Sequence, residues 1–281
     1  MITFIEIKRI LILIHSEFKK NFVSLRMCVL FPLLLLFILG AAWGFSDPDA
    51  KLPANIQINS PFDVLFLTSL FVLFTATLGV VLIGFDSISQ KRLTGTLAIE
   101  FSQPIPRWHL AISNLIGVWI TVALPTVVIT IIGIYTINHQ MNDWPSFKET
   151  MMFIFASCMV IYWYTSLQLL ASSLAKDMGS AVTLGVGTWL LFTMVWLLVT
   201  IILASLFGVD ATNMSNAEFE KFGAKVDLFS PNGVYQLLLE MLLKTESLSR
   251  PIEKSLVWTA TIIWTIVPTS LFIWKFNRMK A

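Results

Sequence analysis

Residues 86–107 read DSISQKRLTGTLAIEFSQPIPR and form a polar stretch between two long apolar segments. The apolar segments, residues 64–85 and 110–137, contain no Asp, Glu, Lys or Arg. About 20 mostly apolar residues are enough for a helix to cross the hydrocarbon core of a bilayer. The pattern therefore predicts two membrane-spanning helices joined by a loop that has a role outside the bilayer.

The rest of the chain has the same character, with 56% hydrophobic and 13% charged residues. This composition is typical of an integral membrane protein. Four further segments are long and apolar enough to span a bilayer, namely residues 25–43, 151–174, 180–206 and 257–274. We therefore expect an all-α membrane protein with six transmembrane helices and both termini on one side.

The distribution of charge predicts which side that is. The termini and the loops after the second and fourth spans contain 12 of the 19 Lys and Arg residues, but only five of the 17 Asp and Glu residues. Loops rich in Lys and Arg stay in the cytoplasm. The termini and residues 86–107 are thus predicted to be cytoplasmic in a multi-pass protein of the cell membrane. The basic inner face suits anionic membrane lipid rather than nucleic acid.

Residues 1–24 are predicted to form a helix in the inner membrane interface. Ile7, Ile10, Leu11, Ile14 and Phe18 recur at helical spacing, while Lys and Glu collect on other faces. The alternative is a positively charged flank of the first span without a structure of its own.

The outer loop, residues 207–255, contains two helical candidates, residues 215–223 and 234–245. In the second, Glu240 and Lys244 are spaced for an ion pair one turn apart. Its apolar face predicts an interfacial or partly re-entrant helix that caps a cavity or holds an outer partner protein. The residues of this face that we select as candidates are Val234, Leu238, Met241 and Leu242.

The spans lack ionisable side chains, which transporters driven by protons or ions usually need. The chain also has no Gly-Lys dipeptide, so it has no phosphate-binding loop of the G-x-x-x-x-G-K-[ST] type. If ATP drives this protein, a separate subunit binds the ATP. No catalytic motif for membrane-enzyme chemistry is present, and we expect no catalytic, cofactor or metal site in the chain.

Residues 90–101 are predicted to form one short amphipathic helix. Leu93, Leu97 and Phe101 recur on one face, and Gly95 permits a close backbone approach. Such a rod would pass the movement of a bound ATPase to the second and third spans. The alternative is a solvated loop whose Lys91 and Arg92 only determine topology.

Residues 86–107 resemble the signature loop of type-2 permeases of ATP-binding-cassette (ABC) transporters, and we call them the signature loop. In that family an acidic residue, a basic pair, Gly-Thr-Leu, and then Pro and Arg follow in order. The matching positions are Asp86, Lys91, Arg92, Gly95, Thr96, Leu97, Pro104 and Arg107. Gln90 departs from the pattern, because the family often has Glu there. The segments EFKK (17–20), LASSL (170–174) and FSPN (229–232) also match. The chain is most similar to the branch of the nitrous-oxide-reductase maturation permease.

The resemblance implies one permease domain over residues 1–281, with an elbow helix at residues 1–24. It places a cytoplasmic coupling helix within residues 86–109, where Gln90 and Glu100 join the matching residues against a nucleotide-binding subunit. It further implies a homodimer with two such ATPase subunits, which hold the ATP and Mg. The first, second and fifth spans would line the cavity.

Two small-residue spacings lie on the spans that this family uses for dimerisation. They are Gly40 with Gly44 and Ala181 with Gly185. Such spacings allow helices to approach closely. Packing within the subunit is the alternative.

His139 and Met141 offer one imidazole and one thioether, which soft metals accept. Two ligands on a loop do not make a site, so we predict no metal site there.

Three classes of function are open from the sequence. The favoured one is the permease of an ABC exporter, which moves an amphipathic or lipid-like substrate or acts mechanically on an outer partner. The second is a membrane enzyme. The last is an assembly or maturation factor for a metalloenzyme, through copper or sulfur mobilisation, or a structural membrane protein without ATP coupling. Co-purification with a soluble ATPase separates the first from the last.

Overall fold

A computed structural model of the chain describes residues 4–47, 58–211, 216–243 and 250–279. Within these ranges the regular structure is helical, and six helices are long and apolar enough to cross a membrane. The six predicted spans are therefore confirmed, and every boundary lies within four residues of its predicted position. They are Leu25–Ser46, Pro61–Gly84, Arg107–Met141, Phe147–Leu174, Met178–Leu206 and Lys254–Asn277, which we number in order.

Local capping determines where three of the spans begin. The second, fourth and fifth spans each start with a capping box, in which a side chain before the helix and one in its first turn bind each other's backbone N–H groups. The pairs are Ser60 with Asp63, Ser146 with Glu149, and Asp177 with Ser180. Because the caps precede the apolar residues, these helices begin two to four residues before the predicted boundaries.

The first and fifth spans are interrupted by π-helical segments, Leu35–Leu39 and Leu191–Val195. Pro32 precedes the first of them by less than one turn. In the third and sixth spans the helix continues through Pro125 and Pro268. The departures from regular α-helix therefore fall in the first and fifth spans.

The second, third and fourth spans form the centre of the bundle. Their apolar segments are more than half buried, whereas those of the first, fifth and sixth spans are less than a third buried. Phe153, Trp163 and Tyr164 of the fourth span are fully buried. The first, fifth and sixth spans therefore present wide apolar faces outside the subunit.

An N-terminal helix, Phe4–Phe22, occupies the position of the predicted interfacial helix. It packs against the third span at Gly117, where an added Cβ would lie 2.7 Å from the Cβ of Glu17. Glycine is needed at this contact because the two helices are too close for a larger residue. Ile7 and Leu11, which were predicted on the apolar face, are exposed on the side away from the bundle.

A helical hairpin follows the fifth span. Its helices, Ala217–Asp227 and Pro231–Glu240, are joined by a short turn. The Trp264 indole donates to the Leu228 carbonyl at 3.1 Å, so the turn lies beside the middle of the sixth span. Trp264 is ten residues from the start of that span, which places the turn roughly 15 Å deep at 1.5 Å per residue.

The hairpin thus reaches about halfway along the bundle and returns, which is the arrangement expected of a partly re-entrant segment. The bounds of its helices differ from the predicted ones, 215–223 and 234–245. Ser215, Lys244 and Thr245 lie outside the described residues, and with them the predicted pair of Glu240 and Lys244.

Candidate functional site

The signature loop folds into two short helices, Ser89–Leu93 and Thr96–Ser102, so the predicted single helix over residues 90–101 is wrong. Gly95 lies between them with φ +74°, a left-handed conformation that residues with a Cβ rarely adopt. A Cβ at this position would meet no atom of the subunit within 4 Å, so no close backbone approach within the subunit requires glycine here. Gly95 instead permits the change of direction between the two helices.

Lys91 lies in a buried ion cluster with 4% of its surface exposed. Its Nζ is 2.5 Å from Glu17 Oε1 and 2.9 Å from Glu100 Oε1, and it donates to Asn114 Oδ1 at 2.9 Å. These partners belong to the N-terminal helix, the second loop helix and the third span. The alternative that Lys91 is a solvated topology determinant is therefore wrong, because the side chain joins three elements.

Asp86 is also buried, with 2% of its surface exposed. Its two carboxylate oxygens each accept a hydrogen bond from Arg26 at 2.6 Å. Arg26 also lies 4.9 Å from the centre of the Phe85 ring. A bidentate pair of this kind fixes distance and orientation, and it joins the start of the loop to the first span.

Arg92 connects the loop to the C-terminal end of the fourth span, which is the end predicted to face the cytoplasm. Its guanidinium donates to the carbonyls of Ala175 at 2.8 Å and Ser173 at 3.0 Å. A cation at a helix C-terminus satisfies free carbonyls and interacts favourably with the helix dipole. Beside it, the Ser172 hydroxyl accepts from the backbone N–H groups of Ile88 and Ser89 at 3.1 Å. The loop is thereby attached to the fourth span at two points.

Arg107 connects the end of the loop to the sixth span. It donates to the carbonyls of Asn277 and Met279 at 3.0 Å and lies 4.3 Å from the centre of the Phe101 ring. The Phe101 ring in turn meets the Phe276 ring edge-on. The charged residues of the motif, Asp86, Lys91, Arg92, Glu100 and Arg107, thus all make contacts within the subunit.

Apart from Arg107 at its end, the surface that the loop leaves exposed carries no charged side chain. Leu93 is 56% exposed and Ile99 is 65% exposed, whereas Leu97 is fully buried. Leu93 and Leu97 therefore do not share a face. The periodicity in the sequence did not indicate that Ile99 would be exposed on this surface. We call this surface the docking face; its residues are Gln90, Leu93, Thr94, Gly95, Thr96, Ala98, Ile99, Ser102, Gln103 and Pro104.

At the turn of the hairpin, Asn232 connects the fourth and fifth spans. Its Oδ1 accepts from the Tyr164 hydroxyl at 2.6 Å, and its Nδ2 donates to the Phe192 carbonyl at 3.0 Å. The Phe192 carbonyl belongs to the π segment of the fifth span. Polar groups at this depth have no water, so they must pair within the protein. The sequence signal for this role was the FSPN match alone.

The predicted candidates in the hairpin lie inside the protein. Val234 and Leu238 are fully buried and Met241 and Leu242 are partly buried against the core. The helix Pro231–Glu240 is buried on all sides, because Tyr235, Leu237 and Leu239 are buried as well. The apolar face of this helix therefore packs against the bundle.

Arg250 links the two helices of the hairpin, a role that the sequence did not reveal. It donates to both oxygens of Glu240, at distances from 2.8 Å, and to Asp227. Burial lowers the pKa of Arg250, but the hydrogen bonds and charge of Glu240 and the charge of Asp227 outweigh burial and raise the pKa overall. The guanidinium therefore stays charged and ties the C-terminal ends of both hairpin helices together.

The small residues predicted at a dimer interface divide into two groups. Gly40 and Gly44 are exposed, and a Cβ on either would meet nothing within 4 Å. Ala181 and Gly185 are buried, and a Cβ on Gly185 would lie 2.5 Å from Gln168 Oε1 of the fourth span. The second pair therefore packs within the subunit, as the alternative predicted.

His139 is exposed and Met141 is partly buried at the end of the third span. In the part of the chain that the structure describes, no group of three or more His, Cys, Asp or Glu residues is placed to hold a metal ion.

Comparison with known proteins agrees with this architecture. A family model described as ABC-2 family transporter protein matches residues 11–281. No curated protein matches the chain. The family match includes all six spans, the signature loop and the hairpin. The chain therefore belongs to the ABC-2 family of transporter proteins and is a membrane permease of the ABC type.

Proposed function

We propose that this chain is the membrane subunit of an ABC exporter and that the docking face binds a separate ATP-hydrolysing subunit. The exposure of Leu93 and Ile99 outside the spans carries the proposal. Exposed apolar residues among mostly uncharged neighbours are typical of the centre of a protein interface. The matching residues Asp86 and Lys91, which were expected to contact the ATPase directly, are buried and act instead by holding this face in place.

The same contacts supply a route for movement. A displacement of the docking face reaches the N-terminal helix and third span through Lys91, the first span through Asp86, and the fourth span through Arg92. Charge-assisted hydrogen bonds are short and directional, so they transmit displacement with little slack. ATP and Mg bound in the partner would thus drive the spans from outside the bilayer.

The wide apolar faces of the first and fifth spans support a homodimer. A cavity of about 600 Å³ lies on the first span beside Gly40 and Trp43. Its lining is apolar apart from Thr136, which suits an amphipathic or lipid-like substrate. Thr68 and Thr75 of the second span and Tyr164 of the fourth span are buried within the subunit and do not line this cavity.

The hairpin favours a second candidate, mechanical action on a partner at the outer surface. It reaches from that end of the bundle to the π segment of the fifth span, so movement of the span would displace it.

The docking face is tested by co-purification of the tagged full chain from its native cells. The double variant Leu93→Ser/Ile99→Ser should lower the co-purifying ATPase at least about tenfold, since buried apolar contacts at an interface centre each contribute about 1 kcal/mol or more. Membrane insertion should be unchanged. The matched control is Val23→Ser/Leu25→Ser, which changes two exposed apolar residues at the same end of the bundle. Equal ATPase recovery in both variants would remove the docking face from the proposal.

Orientation is tested with single cysteines in a background without Cys28 and Cys158. Cysteines at the exposed positions Ala98 and Lys221 should be labelled from the cytoplasm and from outside respectively. Ser89 is unsuitable for labelling because it is buried. Labelling of both positions from one side of sealed cells would contradict the proposed topology.

A further inference from the structure

A cavity with a cationic rim lies at the end of the bundle opposite the signature loop. Its volume is about 690 Å³, and it lies where the fourth span, the sixth span and the end of the hairpin meet. Lys148 and Lys254 line it together with an apolar floor that includes Met152, Phe155 and Trp258. The Phe155 and Trp258 rings contact each other at 5.9 Å between centres. We call this cavity the two-lysine cavity.

The two lysines lie at the depth of lipid headgroups. Lys148 is the second residue of the fourth span, and Lys254 is the first residue of the sixth. Helix ends of spans of this length fall at the boundary between hydrocarbon and headgroups. The apolar floor continues from there along the spans toward the hydrocarbon. The cavity therefore has a charged end and an apolar end in the same order as a membrane lipid.

The positive charge of the cavity is not neutralised by the carboxylates next to it in sequence. Glu149 is buried and accepts from the Ser146 N–H at 2.7 Å in the helix cap, and Glu253 accepts from the Ser255 hydroxyl at 3.5 Å. Neither lines the cavity. Among the residues with described positions, no carboxylate forms an ion pair with Lys148 or Lys254.

We propose that the two-lysine cavity binds an anionic phospholipid of the surrounding leaflet, with its phosphate between Lys148 and Lys254 and an acyl chain on the apolar floor. Lysine binds phosphate as a point charge. The volume lies in the range of sites that enclose small molecules. This inference depends on the membrane location of the family and not on the proposed ATPase partner.

Binding would also stabilise one part of the fold. Met241, which directly follows the second hairpin helix, lines the same cavity as Trp258 of the sixth span. A lipid held between them binds the folded protein and not the unfolded chain, so it raises stability as its concentration rises. The hairpin would then be fastened on one side by Arg250 and on the other by lipid.

The test uses the purified full chain in mild detergent, titrated with phosphatidylglycerol or phosphatidylcholine and followed by native mass spectrometry and thermal unfolding. In the wild type, phosphatidylglycerol should bind more tightly and raise the unfolding temperature more. The variant Lys148→Gln/Lys254→Gln should weaken phosphatidylglycerol binding at least about tenfold, because each lysine near an anionic lipid contributes about 1 kcal/mol. Phosphatidylcholine binding should not change.

The matched control, Lys221→Gln/Lys225→Gln, removes two exposed lysines from the first hairpin helix and should retain the preference. Three results would overturn the proposal: equal binding of the two lipids by the wild type, equal weakening in the control, or no weakening in the Lys148→Gln/Lys254→Gln variant. A separate titration with inorganic phosphate distinguishes a lipid site from a general anion site. If it raised the unfolding temperature as much as phosphatidylglycerol does, the cavity would be an anion site and not a lipid site.

Discussion

The signature loop and the hairpin are both pairs of short helices joined by a turn, yet they place polar and apolar groups in opposite ways. In the loop, the charged residues Asp86 and Lys91 point inward, and the apolar residues Leu93 and Ile99 are exposed. In the second hairpin helix, apolar residues such as Leu238 are buried, and the polar residues Asn232 and Glu240 pair within the protein.

The solvent around each region explains the difference. The loop lies outside the spans, where ion pairs at the ends of helices anchor it and leave its outer surface available to a partner. The second hairpin helix lies inside the bundle beside the spans, where polar groups must pair within the protein. Burial of charge is thus used for attachment at one end of the molecule, and burial of apolar surface at the other.

The largest effect is expected where a charge replaces a buried apolar residue of the hairpin. Leu238→Asp should cost several kcal/mol, because Leu238 is fully buried and the carboxylate would reach neither water nor a cation. Since net stabilities are only about 5–15 kcal/mol, we expect loss of folded protein in size-exclusion chromatography and limited proteolysis. Lys221→Asp, on an exposed position of the hairpin, should elute as the wild type does. A folded Leu238→Asp protein with a displaced hairpin would restore the interpretation of a surface helix.

The next effect concerns the ion cluster of the loop. Lys91→Ala leaves the carboxylates of Glu17 and Glu100 without their cation, and breaking a buried ion pair in this way costs about 3–5 kcal/mol. The free energy of unfolding in detergent should fall accordingly. Lys176→Ala, at an exposed lysine of the same end, should change it by about 0.5 kcal/mol or less.

The triple variant Lys91→Met/Glu17→Gln/Glu100→Gln sharpens the comparison. It removes all the charges together, so most of the lost stability should return. If Lys91→Ala alone were as stable as the wild type, the cluster would be solvated, and the contrast between the two regions would disappear.

The smallest effect concerns the turn between the loop helices. Gly95→Ala should destabilise by about 1–2 kcal/mol, because alanine is strained in the left-handed conformation of Gly95. Gly44→Ala provides a control of opposite sign, since Gly44 lies in a helix with open space at its Cβ position and alanine favours helix by up to about 1 kcal/mol. The unfolding temperature should fall in Gly95→Ala and rise in Gly44→Ala, and thermal unfolding of the two variants measures both changes. Equal shifts in the same direction would mean that the turn does not determine the loop conformation.

Hydropathy alone was enough to predict the six spans, because it is a property of short segments. The signature loop was also found from its sequence, but the roles of its residues were not. Lys91 is buried because Glu17, 74 residues earlier, lies beside it, and nothing in the local sequence indicates that contact. The periodicity of Leu93, Leu97 and Phe101 predicted a continuous helix, whereas the left-handed Gly95 turns the chain between Leu93 and Leu97.

The position of the hairpin also depends on contacts with residues that are far away in the sequence. Its depth depends on Trp264, Tyr164 and Phe192, which come from three different spans. The predicted apolar face of the second hairpin helix is buried, and its other faces are buried as well. The hydrophobic pattern of a single helix does not indicate burial of the other faces. Contacts between elements, rather than the elements themselves, were beyond prediction from one sequence.

The π segments of the first and fifth spans change the direction in which the side chains beyond them point around the helix axis. A π segment accommodates roughly one extra residue within an otherwise α-helical span, and one residue corresponds to about 100° of rotation. A helical wheel drawn from the first half of either span therefore misassigns the faces of its second half. Deleting a single residue within Leu35–Leu39 or Leu191–Val195 would remove this offset. The half of the span beyond it would then rotate, and side chains that now face lipid would be directed toward the bundle.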